Sequence, residues 1–372
     1  MKIGILTFQD SLNYGAQLQC LAMQEVLKVM GHEPEIIQIT FNNRAPFYRG
    51  IGIKLNGIIK AGTIMIFRLL YGRRTQQRFN QHKKKYLNLS QACTIDTIAY
   101  LTRQYDAIIT GSDQIWGWSG HSHATYFIGW EPSYQGKRIS YAPCCAKNFI
   151  DEQHKSHIAA LLNKYDHISV RNQTTYDFVK TLTGIKPPIV ADPTFLISFD
   201  KYISTIPIAP YSRYIVTYIL GSEIDGGHTS ILNGIRQELG NIPVISIVLS
   251  ENSPRWYFWA DKTYCTLSPI EWLNILYYSS FVYSDSFHAL VFALKFHKRF
   301  IAYYAEEARA SRFIDMASRY HLSTWIITSC QDAVTKGSYH LIPDFNSTDN
   351  LLQIQVNESL AFLQTALSSD KI

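Results

Sequence analysis

The sequence predicts an α/β protein built from two Rossmann-like domains. Three observations carry this: a β-α-β opening, the return of the same rhythm after a proline-bearing stretch near residue 206, and a length of 372 residues, more than one core usually fills. The apolar run Ile3-Gly4-Ile5-Leu6-Thr7-Phe8 reads as a buried first strand; it is too short, and lacks the small-residue cleavage site, for a signal peptide. A polar loop from Gln9 to Gly15 leads into Ala16–Met30. There Leu18, Leu21, Ala22, Val26 and Leu27 recur at helical spacing, and Gly31 supplies the C-cap. Glu35–Ile39 is the second strand, reached by a right-handed crossover.

Residues 44–91 interrupt the rhythm with Arg44, Arg49, Arg68, Arg73, Arg74, Arg78 and Lys83-Lys84-Lys85, interleaved with Phe67, Tyr71, Phe79 and Tyr86. The stretch reads as a helical insertion in the N-terminal domain. A solvated basic face is the plainer account of it, and contact with an anionic lipid surface or a lipid-phosphate-linked acceptor is the other. Strands resume at Ala107–Thr110, Arg138–Ala142, His167–Val170 and Ile189–Ala191. In Ile206-Pro207-Ile208-Ala209-Pro210-Tyr211 the prolines continue neither helix nor central strand, so this is the expected linker between domains 1–205 and 206–372.

The second half repeats the grammar with strand Tyr214–Leu220, a turn at Gly221, helix Thr229–Leu239 and strand Val244–Leu249. Ser268-Pro269-Ile270-Glu271 is a capping box with proline at the first helical position. Its helix runs to Tyr278 and feeds a strand at Ser280–Tyr283; Phe300–Tyr303 adds another, and Asn350–Leu367 is a closing amphipathic helix of the C-terminal domain. Two Rossmann-like halves joined by such a linker describe a glycosyltransferase-B-like architecture, with the active site expected in the cleft between domains.

Composition narrows the function classes. The chain is 47% hydrophobic and 17% charged with a net charge of +6, a mild excess that suits anionic small molecules or a membrane surface but falls short of a dedicated nucleic-acid binder. Lys54, Lys60 and Arg68 interrupt the most lipophilic later stretch, residues 51–71, so a membrane span is not expected. The six cysteines form no CxxC pair and read as reduced core thiols of a cytoplasmic protein. No GxGxxG appears, which disfavours dinucleotide binding, and no clustered His, Cys and carboxylate set suggests a metal.

The segment most informative about chemistry is Tyr283-Ser284-Asp285-Ser286-Phe287-His288-Ala289-Leu290-Val291-Phe292-Ala293-Leu294, where a hydrophobic strand ends in polar residues and an apolar helix begins at once. This fixes a histidine at the crevice end of a strand, where backbone N–H groups and the helix dipole favour anions. An imidazole titrates near pH 6.5 and can serve as a proton donor near neutrality; a packed or capping histidine is the alternative.

Four segments together resemble the polysaccharide pyruvyl transferase family: Asn13-Tyr14-Gly15-Ala16-Gln17-Leu18-Gln19, Gly111-Ser112-Asp113-Gln114-Ile115-Trp116, Asp192-Pro193-Thr194-Phe195-Leu196 and Ser284-Asp285-Ser286-Phe287-His288. The resemblance implies a glycosyltransferase-B-like fold. It also implies transfer of an enolpyruvyl-derived group from phosphoenolpyruvate, a donor substrate needing no cofactor, to sugar hydroxyls as a pyruvate ketal. The acceptor would be a surface polysaccharide or its lipid-linked precursor, with the enzyme cytoplasmic or peripheral at the inner membrane face.

The resemblance places the family's catalytic histidine on His288, as general acid. Arg171, after the strand Ile168-Ser169-Val170, falls where the family often has an arginine for the donor's phosphate or carboxylate, and a guanidinium fork matches either anion. Asp113 could take a sugar hydroxyl proton or orient an arginine; an Asx-turn or N-cap is its other reading. Ser112, Gln114, Asn13 and Gly15 are assigned to the acceptor side or cleft, and Asp285 and Ser286 to the donor turn. Two departures stand out: Ser286, where some members carry arginine, and Ala289, where glycine is common. Arg309, Arg312 and the helix N-terminus are the candidate replacements for the missing cation. Arg171 and His288 are expected to meet one ligand from opposite domains. The competing readings are a nucleotide-sugar glycosyltransferase of the same fold and a catalytically lapsed binding protein of a polysaccharide assembly complex; oligomeric state is left open.

Overall fold

The computed structural model describes residues 1–40, 62, 65–117, 123–130, 134–145, 152–249 and 258–368. They form two compact units: Met1–Arg44, Lys83–Ser198 and Asn350–Ile372 make the first, Ala45–His82 and Phe199–Asp349 the second.

In the first unit β1 (Lys2–Leu6), β2 (Glu33–Ile36), β3 (Ala107–Thr110), β4 (Lys137–Ser140) and β5 (His167–Ile168) pair in parallel in the order β2-β1-β3-β4-β5. All four residues of β3 and of β4 are buried, the mark of a parallel sheet covered on both faces. The crossover from β1 to β2 is the helix Tyr14–Val29, whose first turn is capped by Asn13 accepting from Ala16 N at 3.2 Å. Gly31 follows at φ +83°, the left-handed conformation that a glycine tolerates after a helix end. Ile39 and Ile189, expected within strands, make only isolated bridges, to Cys93 and Val170.

In the second unit β6 (Ile215–Tyr218), β7 (Val244–Ile247), β8 (Lys262–Tyr264), β9 (Phe281–Ser284), β10 (Arg299–Tyr303) and β11 (Ile326–Ile327) run parallel in the order β11-β10-β9-β6-β7-β8. The chain winds outward from β6 to one side, then crosses back to β9 and winds to the other. Topological switch points therefore lie between β1 and β3 in the first sheet and between β6 and β9 in the second, the places where open α/β sheets leave a crevice at their strand ends. The capping box forms as expected: Ser268 N donates to Glu271 at 2.7 Å and Glu271 N to Ser268 Oγ at 3.3 Å.

The domain plan needs three corrections. The chain changes unit at Ser198, ahead of the expected boundary at 205. The intervening residues are held by the second unit: Phe199 packs edge-on against Phe292, Asn274 bonds both Ser204 N and Tyr202 O, and Tyr278 donates to Ser204 O. The closing helix, Phe345–Ser368, joins the first unit from Asn350 onward. There Ala191 N donates to Ser359 Oγ at 2.9 Å, Lys137 Nζ reaches the carbonyls of Ala366 and Leu367, and Phe362 lies against Tyr141.

Finally, the described part of the insertion, a π-helical turn at Arg68–Gly72 running into the helix Arg73–Tyr86, groups with the second unit as far as His82 rather than with an N-terminal domain. Thr75 Oγ1 donates to Cys265 O and Arg78 lies 3.4 Å from Glu271. Of the expected insertion, residues 44–61, 63 and 64 lie outside the described residues, and Asn88 to Gln91 carry no helix. Among the described residues no helix is long and apolar enough to cross a membrane.

Candidate functional site

At the switch point of the first sheet the loop after β3 is locked from both sides. Thr7 Oγ1 donates to Ser112 O at 3.0 Å, Gln19 donates to Thr7 Oγ1 at 2.9 Å, and Ser112 N donates to Gln19 Oε1 at 3.2 Å. Gly111 is obligatory there. It sits at φ +126°, and a Cβ would fall 1.9 Å from the Tyr141 carbonyl oxygen. Asp113 also has positive φ, +77°, and its Oδ1 accepts from Gln114 N at 2.8 Å. Cys144 N donates to Asp113 O and Arg171 N to Pro143 O, so the loops following β3, β4 and β5 are stitched in series.

Arg171 closes this assembly. Its Nη1 lies 2.7 Å from Asp192 Oδ2 and 3.5 Å from Ser112 Oγ; its Nη2 lies 3.4 Å from Asp113 Oδ1 and 2.8 Å from Cys144 Sγ. Burial works to lower the guanidinium's affinity for its proton, but Cys144, Asp192 and Asp113 outweigh it and push the group up. Asp192 is satisfied on both oxygens, since Oδ1 accepts from the backbone and hydroxyl of Thr194. The Asp-Pro-Thr segment is thus a cap and counter-ion pair rather than a ligand motif on its own.

At the switch point of the second sheet, Ser286 caps the helix Phe287–Lys295 by accepting from Ala289 N at 3.4 Å. His288 is the second residue of that helix, 5% exposed, with its ring edge-on to Phe287 at 5.2 Å. Ser284 donates to Tyr218 O and accepts from Ser286 N, tying the turn to β6. Asp285 reaches sideways: its oxygens accept from Leu220 N and Gly221 N, both at 2.6 Å, and from Arg309 Nη1 at 3.1 Å. Burial pushes the Asp285 carboxyl up, while Arg309 and the backbone N–H groups pull it down.

Arg309 lies over the backbone of Gly221, where an added Cβ would be 3.1 Å from the guanidinium carbon. Its side chain remains 24% exposed. Glu306 steadies the arrangement, lying 3.7 Å from Arg309 Nε and accepting from the backbone and hydroxyl of Ser222. Arg312 packs its guanidinium over the Phe287 ring at 5.9 Å.

The expected residues therefore gather in two sets. Ser112, Asp113 and Arg171 form one, with Gln114 beside it and Asn13 capping the neighbouring helix, where Gly15 is buried. Asp285, Ser286, His288, Arg309 and Arg312 form the other. Two assignments change character. Asp285 spends its oxygens on the loop after β6 and on Arg309, so it organises the turn; Arg171 is a buried fork already engaged by protein carboxylates. Sequence reasoning missed Cys144, Asp192, Gly221 and Glu306 as parts of these sets. Only Asp192 carried a local signal, an acid directly before Pro-Thr at the end of a strand-like run. All six cysteines are free thiols, and burial pushes Cys145 up to about 12. Among the described residues no group of three or more His, Cys, Asp or Glu is placed to hold a metal ion.

The family model described as polysaccharide pyruvyl transferase matches residues 13–306. No curated protein matches the chain significantly. Solved structures match over nearly the whole chain at low identity. Anabaena Alr3699/HepE, in complex with UDP and glucose, is 9% identical with a TM-score of 0.56, covering 100% of both chains. The UDP-GlcNAc 2-epimerase from Neisseria meningitidis is 8% identical at 0.52, covering 99% of this chain and 100% of that one. Arabidopsis thaliana UGT89C1 is 11% identical at 0.51, covering 97% and 98%. At such identities the likeness establishes the glycosyltransferase-B fold and nothing about ligands.

Proposed function

The chain belongs to the polysaccharide pyruvyl transferase family, and from that premise we propose that it transfers the enolpyruvyl-derived group of phosphoenolpyruvate to two hydroxyls of a sugar, in the synthesis of a surface polysaccharide. The observation that carries the reading is the turn after β9: a histidine at the second position of a Ser286-capped helix, with Asp285 of the same turn holding an arginine that stays partly exposed.

The chemistry asks for that pairing. The methylene carbon of the donor gains a proton, the central carbon exchanges its phosphate ester for two sugar oxygens, and of the two hydroxyl protons one ends on the methyl group and one on phosphate. Positive charge develops at the central carbon as the proton arrives, so a positioned acid and a clamp for the donor's anionic groups are the minimum. In this reading His288 delivers the proton. Arg309 takes the place of the arginine that some members carry at position 286, binding phosphate or carboxylate, with the backbone N–H groups of the helix start as further donors. Arg171 holds Asp113 and Ser112 from behind, leaving Asp113, 13% exposed, as the candidate to receive a hydroxyl proton.

A nucleotide-sugar transferase is the competing reading, favoured only by the shared fold. The deciding experiment is phosphate release from phosphoenolpyruvate on addition of candidate acceptors, with the product weighed by mass spectrometry. Ketal formation and a loss of about two to four orders of magnitude in turnover for His288→Ala are expected. Turnover of a nucleotide sugar without consumption of phosphoenolpyruvate would reject the proposal.

A further inference from the structure

The helical segment ahead of Arg73 exposes an apolar stripe that the donor chemistry does not use. Met65, Ile66, Leu69 and Leu70 are 56, 58, 72 and 62% exposed. Their spacing puts them on one side of two successive turns. The opposite side is anchored: Phe67, Thr75, Phe79 and His82 are buried, and Thr75 and Arg78 bind the second unit through Cys265 and Glu271. The stripe is thus held outward by its own back face, and directly after it the exposed positions turn basic, with Arg73, Arg74, Lys84 and Lys85.

Charge says what covers it. Residues 36–95 contain eleven of the chain's 35 Lys and Arg and none of its 29 Asp and Glu. The rest of the chain carries 24 basic against 29 acidic residues, so a protein whose formal net charge is +6 owes all of that excess to this one stretch. Four adjacent apolar side chains followed by an acid-free basic run match the interface of an anionic bilayer, where apolar groups enter the acyl boundary and cations stay among the headgroups. A second copy of this chain would bring the same basic run against itself and pay Coulomb repulsion.

We propose that the Met65–Leu70 stripe with Arg73 and Arg74 is a peripheral seat on an anionic lipid surface. The seat stands independently of the donor reading: it would hold whatever the reaction, and it would bring the enzyme to lipid-linked acceptors if the reaction is the one above.

The test is sedimentation of the full-length protein with vesicles of phosphatidylethanolamine containing about one-third phosphatidylglycerol, a composition that supplies the surface charge. Binding at low salt, its loss at about 0.5 M salt and weak binding to phosphatidylcholine vesicles are the expected pattern. Leu69→Gln with Leu70→Gln should weaken binding more than tenfold, since each removes an apolar anchor. Arg73→Gln with Arg74→Gln should weaken it by roughly an order of magnitude at low salt. All four positions are exposed, so unchanged melting curves are expected and separate binding from folding. No sedimentation with anionic vesicles at any salt overturns the proposal. So does binding indifferent to both double variants, or a Leu69/Leu70 variant that turns a dimer into a monomer without changing vesicle binding. Phosphoenolpyruvate turnover with a soluble acceptor, measured in parallel, shows whether the reaction reading fails separately.

Discussion

Arg171 and Asp192 form a buried ion pair, Nη1 to Oδ2 at 2.7 Å, with side-chain exposures of 3% and 0%. The pair joins the loop after β5 to the capped turn at Pro193–Phe195, and through Ser112 and Asp113 it reaches the loop after β3. It is the tie that makes three separate strand ends one crevice wall.

Removing one partner strands the other. Arg171→Ala is expected to cost about 3–5 kcal/mol in urea unfolding, because Asp192 then keeps its charge in a buried place without its counter-ion. The double change Arg171→Met, Asp192→Leu should recover much of that loss, since neither charge is then buried alone. A single variant within about 1 kcal/mol of the parent would show that the pair does not carry the wall.

Gly111 and Gly31 separate two costs. Both have positive φ, but a Cβ on Gly31 meets nothing within 4 Å, while one on Gly111 lies 1.9 Å from the Tyr141 carbonyl. Gly31→Ala should lose about 1–2 kcal/mol from backbone strain alone. Gly111→Ala should lose several times more, or fail to accumulate as folded protein. Equal losses, measured by denaturant midpoints, would mean the loop after β3 yields easily.

Gly221 tests Arg309 without touching its charge. A Cβ there would stand 2.8 Å from Asp285 Oδ2 and 3.1 Å from Arg309 Nε, displacing the guanidinium from its rest. Gly221→Ala is expected to raise KM for phosphoenolpyruvate about tenfold with turnover changed far less, the loss expected of one charge-assisted contact to the donor. A fall in thermal stability with KM unchanged would assign Arg309 to structure alone.

Lys295, in the helix that begins at Phe287, provides a pH signature. Burial lowers its ammonium to about 8, with Asp200 pulling the other way. An unfolded lysine titrates near 10.4, so between about pH 8 and 10 the unfolded chain binds more protons than the folded one, and this residue's contribution to stability improves as pH rises. Below pH 8 its folded-state cost is fully present. Lys295→Met should therefore be more stable than the parent at pH 7–8, with the difference shrinking by pH 10 as other titrations cancel between the two proteins. A difference flat from pH 8 to pH 10 would contradict the assignment.

Much of this was legible locally. Alternating apolar strands and helices with 3.6-residue spacing announced two parallel sheets, because each such element must bury one face and can do so only in layers. The cap at Ser268 could be read residue by residue, since a cap involves groups only two or three positions apart, whereas Asn13 and Ser286, expected at the ligand side, prove to cap helices as well. Arg309 stood beside Arg312 as a candidate for the missing cation, with nothing local to choose between them. Nothing in its neighbourhood announces that Asp285 and Gly221, on two other strand ends, will hold it.

What the sequence determined by itself, then, is the class of fold, the positions of the strand-to-helix turns and the histidine at one of them, all consequences of periodicity and local hydrogen bonding. Tertiary structure alone decided where the units divide, that the helix from Asn350 returns to the first of them, and that Arg171 is engaged by Asp192 while Arg309 stays partly exposed. Those outcomes depend on pairings across tens to hundreds of residues, and the energy of such a pairing resides in distance and burial, which a linear pattern does not contain.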